Sequence, residues 1–183
     1  MTRPDTAIVV MGVSASGKSV VGIEIARRLH LPFVDADDLH PAETVAKMSQ
    51  GIALTDADRA PWLDLVGERL ALRAAGGQVP ERAAAESSGV VVACSALKRA
   101  YRDRLRARAP HTVFVHLTGD PELLSNRALA RTGHFMPPAL LASQLATLEP
   151  LGDDESGVVV DVAADVATVA ERAVEWVQRN GSE

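Results

Sequence analysis

Short apolar runs alternate along this chain with longer stretches in which apolar residues recur every three or four positions. The runs at 7–11, 32–35, 90–94, 112–117 and 157–162 are rich in valine and isoleucine and too short for buried helices, so they predict five strands. The longer stretches predict helices near 18–30, 41–49, 58–75, 98–108, 120–131, 138–147 and 165–179. Nearly continuous apolar strands separated by helices imply an α/β fold with a parallel sheet covered on both faces. Helix starts are written locally: Asp120-Pro121-Glu122 combines an N-cap, a proline for the first helical position and a first-turn acid. The last helix carries Val166, Val169, Ala170, Ala173, Val174 and Val177 on one stripe, a core-packing pattern. Residues 76–88, with Gly76-Gly77, Pro80 and Ser87-Ser88, predict a surface loop holding a short helical piece near 82–86.

No repeat and no linker interrupts the 183 residues, so the chain reads as a single domain, 1–183. With 47% hydrophobic and 23% charged residues it has the composition of a folded globule. The single Cys94 excludes an internal disulfide, and no Cys/His cluster has zinc-ligand spacing. Residues 1–6 do not resemble a signal peptide and no apolar run approaches a membrane span, so the expectation is a cytoplasmic protein without a membrane partner. A net charge of −5 argues against a nucleic-acid partner, yet leaves room for a small anionic substrate if cations gather locally.

The strongest chemical signal follows the first predicted strand. Gly12-Val13-Ser14-Ala15-Ser16-Gly17-Lys18-Ser19 has the spacing G-x-x-x-x-G-K-[ST] between a strand and a helix, which is the P-loop in its structural setting. Glycines let the backbone turn so that successive N–H groups point at phosphate oxygens, and the following helix adds its positive end. Gly12, Ser14, Ala15, Ser16, Gly17, Lys18 and Ser19 are therefore expected to cradle a nucleoside triphosphate, with Lys18 on the β/γ-phosphates and the Ser19 hydroxyl on Mg²⁺. An adenine ring is expected against the loop at 148–157.

A second signal is Asp35-Ala36-Asp37-Asp38-Leu39-His40-Pro41. Residues two apart on a strand face the same way, so Asp35 and Asp37 should project together from the carboxyl edge, where open α/β sheets bind ligands. Two carboxylates there can divide phosphoryl transfer, one holding Mg²⁺ through water and the other accepting a proton. The competing reading is an acidic turn capping the helix that Pro41 opens, and His40 is open between substrate contact and helix entry. Arg59 precedes a helix expected to start at Pro61; Lys98 and Arg102, like Arg127 and Arg131, stand four apart and share a helix face. Such pairs are ordinarily solvated, but Lys98 follows a buried strand on the ligand edge. Arg127 and Arg131 precede Thr132-Gly133-His134-Phe135-Met136-Pro137-Pro138, which suggests a hinged flap able to close over a transferring phosphoryl group.

Together with Lys47-Met48, Gly51, Leu54-Thr55-Asp56-Ala57-Asp58-Arg59-Ala60-Pro61-Trp62-Leu63, Cys94-Ser95-Ala96-Leu97-Lys98, Tyr101-Arg102-Asp103 and Gly133-His134-Phe135-Met136, these segments resemble the bacterial-type gluconokinases. The resemblance spans residues 8–161. It implies the three-layer P-loop fold of shikimate kinase and the nucleoside monophosphate kinases, with a five-stranded parallel sheet and a small lid near 127–140. It also implies ATP- and Mg²⁺-dependent phosphorylation of D-gluconate at its 6-hydroxyl, usually by a homodimer. On that footing Lys18, Asp37, Arg127 and Arg131 are the expected catalytic residues, and Ser19 and Asp35 the expected metal ligands. Asp37, His40, Arg59, Lys98, Arg102 and His134 are expected at the substrate, with Arg59 first for its carboxylate. Thr44 stands where the family usually has Asn, Ala53 where Pro is frequent, and 76–88 is longer than usual. Shikimate kinase is the alternative, but its glycine triplet is replaced here by Cys94-Ser95-Ala96-Leu97-Lys98; a GTPase would need Asn-Lys-x-Asp, which is absent. A nucleotide-binding module without turnover is the remaining alternative.

Overall fold

A computed structural model of the chain describes residues 6–50, 52–74, 89–130 and 138–180. In chain order the elements are β1 (Thr6–Met11), α1 (Lys18–Leu29), β2 (Phe33–Asp35), a 3-10 turn (Ala36–Leu39), α2 (Ala42–Ser49), α3 (Asp56–Ala74), β3 (Gly89–Ala93) and α4 (Arg99–Arg108). There follow β4 (Thr112–Thr118), α5 (Pro121–Ala130), α6 (Pro138–Thr147), β5 (Gly157–Asp161) and α7 (Val166–Asn180). The five strands form one sheet in the order β2-β3-β1-β4-β5, every pairing parallel. The expected α/β fold with a five-stranded parallel sheet is the fold observed. The loop expected at 76–88 lies outside the described residues.

The period-two alternation of β1 divides the core. Ile8 and Val10 face α1 and α7 with Val21, Ile25, Val169 and Ala173, while Ala7, Val9 and Met11 face α3 and α4 with Trp62, Leu63, Leu70 and Leu105. Two apolar layers on one sheet make the three-layer architecture. Coverage thins at both edges: β2 is half-buried throughout, and Val159 on β5 is 56% exposed. Burial of both faces therefore holds for β1, β3 and β4 but not for β2 or β5.

Helix boundaries show what the apolar pattern missed. α3 begins at Asp56 rather than near 58, because Thr55 and Asp58 form a capping box: Asp58 N donates to Thr55 Oγ1 at 3.2 Å and Thr55 N to Asp58 Oδ2 at 3.0 Å. Pro61 thus sits in the second turn instead of opening the helix. The Asp120 cap is observed, with Glu122 N donating to its Oδ1 at 2.8 Å. The carboxyl ends of β1, β2 and β3 meet where the P-loop, the 3-10 turn and the head of α4 lie together.

Candidate active site

β1 delivers the chain to Gly12, whose φ of +142° and close approach to β4 admit no side chain: a Cβ there would lie 2.6 Å from the Leu117 carbonyl oxygen. Gly17, at φ +89°, caps the N-terminus of α1, so the first-turn amides of that helix open toward the loop. Lys18 folds back over the loop and its Nζ donates to Val13 O at 3.0 Å. At the next residue, Ser19 Oγ donates to Asp35 Oδ2 at 2.6 Å, which joins the P-loop helix to the end of β2.

The acid pair assembles by a different route from strand alternation. β2 stops at Asp35, whose Oδ1 accepts from Asp37 N at 3.1 Å and so caps the 3-10 turn that carries Asp37. The expected alternation and the competing turn both contribute: Asp35 caps, and Asp37 rides on the turn. Asp37 is exposed at the surface, yet protein packs closely enough around its carboxyl to desolvate it. That desolvation, reinforced by the Asp35 charge and opposed by Lys18 and His40, holds its carboxyl above the ordinary aspartate value. A raised carboxyl next to a phosphate cradle is matched to proton transfer.

His40 stacks flat on Trp62, with centroids 4.3 Å apart and planes 6° from parallel, and Trp62 is itself tied to the 3-10 turn by its Nε1 bond to Ala36 O at 2.7 Å. Burial lowers the imidazole below its ordinary value, with Asp37 opposing and Arg59 assisting, so the ring is neutral near pH 7. Its tautomer follows from Thr44. The Thr44 hydroxyl gives its only proton to Pro41 O at 2.8 Å, so the 3.4 Å contact to His40 Nδ1 assigns the ring proton to Nδ1 and leaves Nε2 an acceptor.

Of the expected cations, the structure keeps some and redirects others. Arg59 donates to Leu54 O and sits 6.0 Å over the Tyr101 ring, with no carboxylate in ion-pair range among the described residues. Lys98 is committed to both oxygens of Asp56, at 2.9 and 2.8 Å, and Asp56 also accepts from Tyr101. Arg102 is a correction. Its side chain is 0% exposed; Nε and Nη2 each donate to Glu155 at 2.8 Å, and the remaining donors reach the carbonyls of Ala96, Leu97, Glu149 and Pro150. No donor remains for a substrate, because Arg102 points inward and pins the loop before β5 onto α4. Arg131 and His134, with the rest of 131–137 in the expected lid, lie outside the described residues.

The same anchoring fixes the loop on which an adenine ring was expected. The 148–155 loop runs across the α4 face, whereas an open cleft of about 500 Å³ lies on the other face, lined by Ala15, Gly17, Val20, Arg127, Val162 and Val166. Arg127 forms its wall rather than a flap, with Nη2 donating to Val162 O at 2.8 Å. The sequence did carry a signal for this cleft. Residues 162–166 follow the carboxyl end of a strand, and ligands of open parallel sheets gather at that edge. Another residue escaped notice: Gln144 on α6 accepts from Ser14 N at 2.6 Å.

A phosphate cradle with two carboxylates held beside it is the equipment of a P-loop kinase with a small-molecule acceptor. Comparison with known proteins agrees. The model of the shikimate kinase family matches residues 14–178. The chain is 46% identical over 177 residues to a probable gluconokinase of Xenopus tropicalis, with 88% of each chain covered. It is 43% identical over 167 residues to the thermosensitive gluconokinase of Escherichia coli K12, covering 91% of this chain and 84% of the relative. A solved gluconokinase from Sinorhizobium meliloti 1021 superposes with a TM-score of 0.82 at 48% identity, covering 97% and 94% of the two chains. The chain belongs to the gluconokinase family, a branch of the shikimate-kinase-like P-loop kinases. It is a nucleotide-binding phosphotransferase for a small molecule, and among the described residues no helix is long and apolar enough to cross a membrane.

Proposed function

We propose that this protein transfers the γ-phosphoryl group of ATP to the 6-hydroxyl of D-gluconate, giving 6-phospho-D-gluconate and ADP. One observation carries the assignment of the acceptor: Arg59, a forked cation with no carboxylate in ion-pair range among the described residues, lies, like Asp37, close enough to the neutral His40 for its charge to act on the ring. Its two-pronged geometry suits the carboxylate of a sugar acid. His40 Nε2 accepts a hydrogen bond from a substrate hydroxyl, which gives Thr44 its influence on substrate preference through the imidazole. Asp37 orients the 6-hydroxyl and takes its proton as the oxygen attacks. Lys18 neutralises charge on the phosphates, and Arg127 flanks the nucleotide from the cleft wall.

Ser19 and Asp35 offer two hard oxygens, 2.6 Å apart, at the mouth of the cradle, a donor set that suits Mg²⁺ completed by phosphate and water. When bound there, the ion screens the β- and γ-phosphate charge. The nucleobase lies in the cleft between Val20 and Val166. The homodimer implied by family resemblance and a cytoplasmic location belong to the same proposal. The test is a coupled ADP-release assay with MgATP against D-gluconate, shikimate, other aldonates and nucleoside monophosphates. Gluconate is expected to be the preferred acceptor; turnover of shikimate, or ATP hydrolysis indifferent to every acid, would overturn the reading.

A further inference from the structure

On α6, buried Leu141 and partly buried Leu145 pack into the apolar cluster that also holds α1 and α7, and Leu148, just past the helix end, continues the i, i+4, i+7 stripe. Gln144 falls inside that stripe, three residues after Leu141, where an apolar side chain would complete the packing. Its side chain spans from residue 144 to residue 14, placing Oε1 2.6 Å from the backbone N–H of Ser14 in the P-loop. A polar residue retained on a packing face while it reaches into the phosphate cradle calls for a functional reason.

The contact also determines which way the amide points. A peptide N–H can only donate, so the Gln144 atom that meets it is the carbonyl oxygen, and the NH₂ group is directed away from that bond. No described residue accepts from Nε2. The peptide joining Val13 to Ser14 is held at both edges: its C=O receives Lys18 Nζ at 3.0 Å and Ser16 N at 3.3 Å, and its N–H meets Gln144 at 2.6 Å. A trans peptide is planar and stiff, so a shift of α6 at one edge of that plane is transmitted to the lysine at the other.

We propose that Gln144 is part of the phosphoryl-transfer site: its oxygen holds the Val13–Ser14 peptide and, through it, Lys18, while its NH₂ donates to the terminal phosphoryl group of the bound triphosphate. This rests on the kinase reading above, but it concerns the nucleotide side of the reaction alone. A preorganised donor at the transferring group strengthens its bond as charge develops there, so its removal lowers kcat more than it weakens ground-state binding.

The experiment compares the whole protein with Gln144→Met, which keeps length and volume, and Gln144→Glu, which keeps an acceptor for Ser14 N–H but lacks the donor. Dissociation constants for MgATP and MgADP are measured by calorimetry, and kcat and KM by ADP release. Unchanged thermal unfolding of the Met variant certifies the fold. Both variants are expected to lose about 10- to 100-fold in kcat and to weaken ATP relative to ADP, with ADP binding within about twofold of wild type. Wild-type kcat in Gln144→Met, or equal weakening of ATP and ADP, would overturn the assignment and leave Gln144 a structural tie. Wild-type kcat in Gln144→Glu alone would refute the donor role. If the wild-type protein ignores gluconate, the acceptor assignment fails, and the ATP-to-ADP affinity ratio still decides the role of Gln144.

Discussion

Arg102 offers the sharpest separation of a structural from a substrate-binding cation. Substitution to methionine removes a guanidinium with no exposed surface and leaves the Glu155 carboxylate, also fully buried, without its two 2.8 Å bonds. Breaking one side of such a pair costs about 3–5 kcal/mol, and here Arg99 and Arg106, at 3.7 and 3.6 Å from Glu155, still share its charge. The carbonyls of Glu149 and Pro150, each 3.0 Å from an Arg102 nitrogen, lose a donor as well, which offsets that relief and keeps the loss within the same range. For a chain of this size each kcal/mol lowers Tm by about 2–4 °C, which puts the fall at roughly 6–20 °C. Burial by itself raises the Glu155 carboxyl, but the bonds and charge of Arg102, assisted by the Gly152 N–H and Arg99, overcome it and hold the group below its ordinary value of 4.5. A group depressed in the folded state stabilises above its unfolded value, and that stability is lost as pH falls. The wild-type advantage over Arg102→Met should therefore be full at pH 7 and shrink below about pH 4.5. Circular dichroism melts across this range measure it, with gluconate KM taken well below the transition. A variant with wild-type Tm and a greatly raised KM would refute the structural role and return Arg102 to the substrate.

Three further perturbations probe the site itself. Asp37→Asn should cut kcat by about 10²- to 10⁴-fold with a smaller change in gluconate KM; because the carboxyl is raised above 3.8, the acid limb of kcat/KM should lie above the ordinary aspartate value and vanish in the variant. Loss of affinity alone at unchanged kcat would make Asp37 a binding residue. Arg59→Ala should weaken gluconate by about 2–5 kcal/mol if the pair is desolvated, Arg59→Lys by less, both with little effect on ATP; an unchanged KM in the alanine variant would exclude Arg59 from the carboxylate. Gly12→Ala should abolish ATP binding, since its Cβ would meet Leu117 O at 2.6 Å, and retained affinity by calorimetry would contradict that geometry.

Sequence and structure agree where the determinants are local. The Gly12 to Ser19 cradle is built from consecutive residues, so spacing alone specified it, and the apolar period marked all five strands. The start of α3 was missed because its determinant is the reciprocal Thr55–Asp58 cap rather than Pro61. Asp35 and Asp37 came together as expected, though by a capped turn instead of a shared strand face.

What sequence could not determine is which of several equivalent side chains faces which neighbour. Lys98 and Arg102 share a helix face and a charge, yet one meets Asp56 at the surface and the other disappears against Glu155, 53 residues away along the chain. That pairing moved the loop before β5 to the α4 face and left the open cleft to residues from the P-loop, α5 and the start of α7. Gln144 likewise acquires meaning only from a contact 130 residues distant. The chain by itself determined the class of chemistry, because a phosphate cradle is a property of contiguous backbone. The tertiary structure decided the partners of each cation and amide, because burial and direction depend on elements that meet only when the sheet has assembled.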